Sequence, residues 1–376
     1  MKKRLLALIL SALLLIHAVA CNTVRAPEND GDTEETNTVD SSCGSDTDQN
    51  ETPSALSAWM ETVDGMRYAY FFEEIDNNPY DKWLESELLQ ASRSESEIYS
   101  EYVALWETEL ENTVKNGKDL FTYAEPYENW TQWLKDWYAA LQKFFLAERE
   151  LLDETKLSAT ALLISYSHLI REETVAAKKV LYHLACENNS TESADVWEIP
   201  ITWSVSIDQS GNSCADLSKE STAFSESPAT LSDVLKNFHD NVEMGPESFF
   251  IRDIWAVSAE APDALQKLEN EYYSLFHFWE LEYAFSVENG EEIFEDASQY
   301  ENWKACVVEL DEARQRLAKS EFCIIFPDQL THLPQKARFL KQEVLELKFF
   351  LYLLEYQQKA LVINSPSDIL IEWSPK

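Results

Sequence analysis

Two W-E-x-E segments, starting at Trp106 and at Trp279, present the carboxylate pairs Glu107/Glu109 and Glu280/Glu282. Paired carboxylates serve acid–base chemistry when their surroundings drive their pKa values apart. The chain holds 68 acidic residues, so such a pair singles out no catalytic site here. The four glutamates are instead candidates for binding, because they flank an apolar stripe and would attract a cationic partner. Other chemistry lacks its motifs. There is no G-x-S-x-G, no H-E-x-x-H, no C-x-x-C, no D-x-D-x-D-G and no phosphate-cradling glycine loop. No catalytic residue, no metal ligand and no cofactor is therefore expected, and the chain does not read as an enzyme.

The elements that position these carboxylates follow from spacing. Val103, Trp106, Leu110 and Val114 recur at helical intervals, as do Phe276, Trp279, Tyr283 and Val287. Each set is the stripe of an amphipathic helix, with its tryptophan in the core. Asn116-Gly117 and Asn289-Gly290 follow, where a left-handed glycine cap is expected. A second stripe starts at Y-E-N-W, which occurs at 127–130 and again at 300–303. Tyr127, Trp130, Leu134 and Trp137 match Tyr300, Trp303, Val307 and Leu310. Ser298-x-x-Glu301 reads as a capping box. Pro126 reads as the first helical residue, with Glu128 in the first turn.

These matches describe a duplication. An offset of 173 superposes residues 105–121 on 278–294 and the two Y-E-N-W copies. An offset of 170 superposes 168–184 on 338–354, and IPITWS at 199–204 on ILIEWS at 369–374. Searching for such periods comes before any fold assignment. In the long helices, Ile170, Thr174, Ala177, Leu181 and Leu184 match Leu340, Val344, Leu347, Leu351 and Leu354, the seam of a bundle. Residues 199–207 alternate, with Ile201, Trp203, Val205 and Ile207 on one side, which predicts an extended arm packed on its own domain.

Only seven glycines occur in 376 residues, too few for the many turns of an α/β or all-β fold. The expected fold is all-α: two tandem helical-bundle domains, residues 55–207 and 230–376, each followed by a short extended or β arm. Residues 208–229, rich in serine, form the expected linker.

The N-terminus carries targeting information. Lys2, Lys3 and Arg4 precede an apolar run at 5–16, then Ala18-Val19-Ala20 and Cys21. The run is too short for a comfortable membrane span. It resembles a bacterial lipoprotein signal, with residues 1–20 removed and Cys21 the lipid attachment site. Residues 21–53 are polar and acidic and form a disordered tether. The expected location is the bacterial cell envelope, extracytoplasmic and lipid-anchored to the membrane. The formal charge of −38 argues against nucleic acid as a partner and favours a cationic protein. Of the cysteines, Cys186 and Cys214 could close a loop as a disulfide in an oxidising compartment; one of the remainder must stay unpaired within the chain.

Trp106 with Glu109-Leu110-Glu111-Asn112, then Trp130, Trp133 and Trp137, then L-I-R-E-E-T at 169–174 with Leu181-Tyr182, resemble the lysozyme inhibitor LprI-like N-terminal domain family. The likeness covers roughly 95–185, and more faintly 265–355; the family's R-D and cysteine have no counterpart. The resemblance implies a small helical domain on an exported bacterial protein and a binding role, with a lysozyme-like hydrolase as the expected partner. Two alternatives stay open: a glycan- or peptide-binding module that uses exposed Trp and Tyr, and a purely structural envelope lipoprotein.

Overall fold

The computed structural model describes residues 53–90, 93–152, 156–188, 199–204, 231–243, 245–324, 329–359, 369 and 371–374. Among them the protein is all-α. Its helices are α1 (Ala55–Met60), α2 (Val63–Asp76), α3 (Pro79–Gln90), α4 (Glu95–Gly117), α5 (Ala124–Leu151) and α6 (Lys156–Asn188) in the first half. The second half contains α7 (Leu231–Glu243), α8 (Glu247–Ala256), α9 (Ala264–Asn289), α10 (Ala297–Ile324) and α11 (Gln329–Lys359). The described residues hold no strand, only an isolated antiparallel bridge between Ser54 and Ser258. None of the described helices is long and apolar enough to cross a membrane. The signal, Cys21, the tether as far as residue 52 and all of the linker lie outside the described residues.

Local signals set the helix ends. Ser94 and Glu97 form a reciprocal capping box that starts α4, satisfying two N–H groups that the helix itself leaves free. The start of α10 differs from the box expected at Ser298. Asp296 is the capping residue, and its carboxylate accepts from the Ser298 backbone N–H at 2.7 Å and from the Ser298 hydroxyl at 2.8 Å. An aspartate two residues earlier outcompetes a glutamate on a longer tether. In α5 the helix begins at Ala124, so Pro126 sits two residues inside. It is tolerated there because first-turn N–H groups have no partner within the helix. Glu128 consequently falls beyond the first turn.

Gly117 and Gly290 are not left-handed caps. Their φ values are −75° and −56°, ordinary right-handed helix. What they provide is closeness. A Cβ on Gly117 would collide with the Leu181 methyl groups, and one on Gly290 would stand 3.2 Å from Leu351 Cδ2. The two glycines let α4 approach α6, and α9 approach α11.

The stripes face inward as their spacing requires. Trp106, Trp130, Trp137, Trp279 and Trp303 are among the largest fully buried side chains. α4 packs along α6, α9 along α11, α6 along α11, and α5 along α10. The last contact joins the halves, and one apolar cluster runs from Tyr80 and Trp106 through Trp130 and Trp303 to Ile369. The N-terminal α1 also crosses over. Ala55 N–H donates to Val257 O at 2.7 Å, and Ala259 N–H to Pro53 O at 3.0 Å.

The two halves repeat bonds as well as residues. Tyr127 Oη donates to Val114 O at 3.2 Å, and Tyr300 Oη to Val287 O at 3.0 Å. Each tyrosine of Y-E-N-W thus satisfies a carbonyl in the last turn of the preceding helix, where no intrahelical partner exists. Arg171 lies over the Trp106 ring at 5.6 Å, and Lys341 over Trp279 at 5.8 Å. Arg171 bonds Asp81 of α3, and Lys341 pairs with Glu247 of α8.

Candidate functional site

The four glutamates of W-E-x-E separate into two environments. Glu109 and Glu282 are 1% and 0% exposed, which corrects their expected place on an exposed acidic face. Their helix positions lie next to the stripe, and the arriving segment covers them. Lys178 Nζ stands 2.5 Å from Glu109 Oε1, and Lys348 Nζ stands 3.0 Å from Glu282 Oε2. Ser204 N–H donates to Glu109 at 2.8 Å, and Ser374 N–H to Glu282 at 2.9 Å.

Each lysine has two further partners from the same segment. Lys178 donates to Thr202 O and Lys348 to Glu372 O, both at 2.7 Å. Lys178 lies 4.4 Å above the Trp203 ring, and Lys348 lies 4.7 Å above Trp373. Trp203 in turn meets Trp106 edge-on at 6.0 Å, and Trp373 meets Trp279 at 6.3 Å. Burial pulls both lysines below their usual pKa, and the facing carboxylates oppose that pull. These junctions bind protein segments. Their charges are committed to holding 199–204 and 371–374 in place.

The outer members differ. Glu107 is half-buried and accepts from Tyr138 Oη at 2.6 Å and Tyr166 Oη at 3.4 Å. Glu280 is exposed and pairs with His277 Nδ1 at 3.2 Å. Glu280 borders a cavity of ≈ 340 Å³, and Glu109 borders a smaller one of ≈ 140 Å³. Cys186 is buried, and burial raises its thiol. Cys214, its expected disulfide partner, lies outside the described residues.

That cavity, ≈ 340 Å³, opens between α6, α9, α10 and α11. Glu173 and Glu321 stand in its wall, with Phe276, Phe322 and Phe339. Burial raises Glu173 well above the carboxylate range, the charge of Glu321 adds to the rise, and Arg314 opposes it. Glu321 is raised by burial as well, against a bond from Trp130 and the charge of Lys179. Glu173 was legible as a matched position, since it aligns with Glu343. Glu148 and Glu321 also match at the offset of 173. Their register was visible in the sequence, but nothing there marks a glutamate late in an amphipathic helix as buried.

No group of three or more His, Cys, Asp or Glu that could hold a metal occurs among the described residues. No family model, no curated protein and no solved structure matches this chain.

Proposed function

We propose that the protein is an extracytoplasmic, lipid-anchored binding module, built from two diverged copies of one helical unit with a C-terminal arm, that captures a cationic protein. The observation that carries this is the distribution of charge. Eight carboxylates and four cations are buried among the described residues, against a formal charge of −38. Eight against four takes only four charges from the acid excess, so the surface stays strongly acidic. A surface of that sign speeds encounter with a basic partner and rejects an acidic one. The resemblance at Trp106–Asn112 and Trp130–Trp137 makes a lysozyme-like hydrolase the first partner to try. The recurring bonds at Glu109 and Glu282 support the two-copy reading, because the same lysine–carboxylate–tryptophan contact closes each half.

The glycan-binding alternative loses support, since the repeated tryptophans are core. Exposed rings remain at Tyr123, Trp255 and Tyr273, but they do not occupy matched positions.

Two measurements test the reading. Full-length protein in detergent is mixed with lysozyme at low salt, and lysis of cell walls and co-elution are followed. Slowed lysis with salt-sensitive co-elution is expected; unchanged lysis with separate elution rejects a lysozyme-like partner. Labelled palmitate should enter the wild-type chain and not Cys21→Ser, and equal labelling would exclude Cys21 as the lipid site.

A further inference from the structure

The cavity between α6, α9, α10 and α11 contains a carboxylate atom with nothing to bond. Glu173 is 2% exposed, and its Oε1 has no hydrogen-bond partner. A buried unsatisfied oxygen is costly, and here it borders ≈ 340 Å³ of space, within the range of small-molecule sites. We propose that this cavity binds a small organic monocation: a primary amine on an aromatic or aliphatic body, its ammonium at Glu173 and its body against Phe276, Phe322 and Phe339.

The lining carries the carboxylates Glu173, Glu280 and Glu321 and the cations Arg314, Lys319 and Lys336. Arg314 is committed to Asp311 and Glu343. Lys336 lies over Phe276 at 5.9 Å and over Phe322 at 5.5 Å. Those two rings thus already accept an ammonium on their faces. Lys319 is exposed at the rim, and Glu280 stands exposed beside the entrance. Lys179 acts on Glu321, and Arg314 acts on Glu173 by charge alone, its guanidinium being paired with Asp311 and Glu343. The comparison with the other half is direct. Glu343, the counterpart of Glu173, has Arg314 on α10; the residue matching Arg314 on α5 is Leu141. The missing guanidinium is what a ligand ammonium would replace.

Burial raises Glu173 in the empty cavity and so favours its protonated form. Binding the ammonium releases that proton to solvent, leaving a carboxylate–ammonium pair. Affinity therefore rises with pH while the amine itself stays protonated.

Calorimetry on the full-length protein tests this with tryptamine, the neutral isostere tryptophol and the anionic isostere indole-3-acetate. Tryptamine should bind more tightly at pH 8 than at pH 6, with proton release seen as a buffer-dependent heat. Tryptophol and indole-3-acetate should not bind. Glu173→Gln, which mimics the protonated acid, should keep the melting transition and lose tryptamine. Ala176→Leu, which fills the cavity from α6, should do the same. Absence of tryptamine binding, equal binding of tryptophol, or full binding by folded Glu173→Gln would each overturn the proposal.

Discussion

The indole Nε1 of Trp130 donates to Glu321 at 3.1 Å across 191 residues of chain, while Trp303 Nε1 donates to Glu148 at 3.4 Å across 155. Each Y-E-N-W tryptophan is thus satisfied by a glutamate from the other half. The exchange is reciprocal, because Glu148 and Glu321 are related by the same offset of 173 as the two tryptophans. It ties α5 to α10 through two buried bonds that neither half can make alone.

Glu148→Gln and Glu321→Gln should stabilise the protein at alkaline pH. Burial raises both carboxyls, Glu321 to about 7. A carboxyl raised in the folded state contributes stability below its unfolded pKa, and that contribution is lost as pH rises through the folded value. Glutamine keeps the oxygen that accepts the indole proton and never ionises. For Glu321→Gln a gain of up to about 3 kcal/mol at pH 8, shrinking towards zero at pH 5, is expected from urea melts, and Glu148→Gln should change in the same direction. A gain that is the same at both pH values would contradict the burial account.

The wild-type protein should be more stable at pH 6 than at pH 8. Glu148, Glu173, Glu321 and Glu343 are all raised by burial, Glu343 to about 7. The native state therefore holds more protons than the unfolded chain between about pH 4.5 and pH 7, and stability falls as pH rises through that window. His239 acts in the opposite sense. Burial, then the charge of His168, lowers it to about 4, so its contribution is lost as pH falls from about 6.5 towards 4. Melting temperatures from pH 4 to pH 9 would reveal this, and His239→Gln should lift the acidic limb selectively.

Lys178→Met leaves Glu109 buried with the Ser204 N–H and without its cation. A loss of about 3–5 kcal/mol at pH 8 is expected for breaking a buried pair from one side. Part should return in the double variant Lys178→Met/Glu109→Gln. Lys348→Met should behave alike at Glu282. Denaturation of these variants in parallel measures whether the two junctions are energetically equivalent.

Gly117→Ala should cost more than Gly290→Ala. The added methyl meets Leu181 inside contact distance, whereas the one on Gly290 approaches Leu351 only to 3.2 Å. Overpacking of this kind costs about 1–3 kcal/mol. If both glycines served as left-handed caps the costs would be equal, so the difference in melting temperature distinguishes the two roles.

Tyr127→Phe and Tyr300→Phe remove only a hydroxyl, leaving the Val114 and Val287 carbonyls without that donor. A loss of about 0.5–1.5 kcal/mol is expected for each. Val287 is the more covered of the two, so Tyr300→Phe should cost more, as read from chemical melts.

Spacing alone determined that Trp106, Trp130, Trp279 and Trp303 are core residues, because helical periodicity fixes which side chains share a face. It also determined the register between the halves, since Y-E-N-W and the matching Glu173 and Glu343 are properties of the linear order. Tertiary structure decided what the polar residues on those faces do. Glu107 and Glu109 are neighbours in sequence, yet one meets two tyrosine hydroxyls and the other a buried lysine. That lysine arrives from a helix about seventy residues later. The glycines after W-E-x-E look like helix stops in the chain and prove to be contact points only when α6 and α11 lie against them. The pairing of Trp130 with Glu321 was the least legible feature. A hydrogen-bond partner supplied by the opposite half depends on how α5 and α10 cross, and helical spacing carries no information about that crossing.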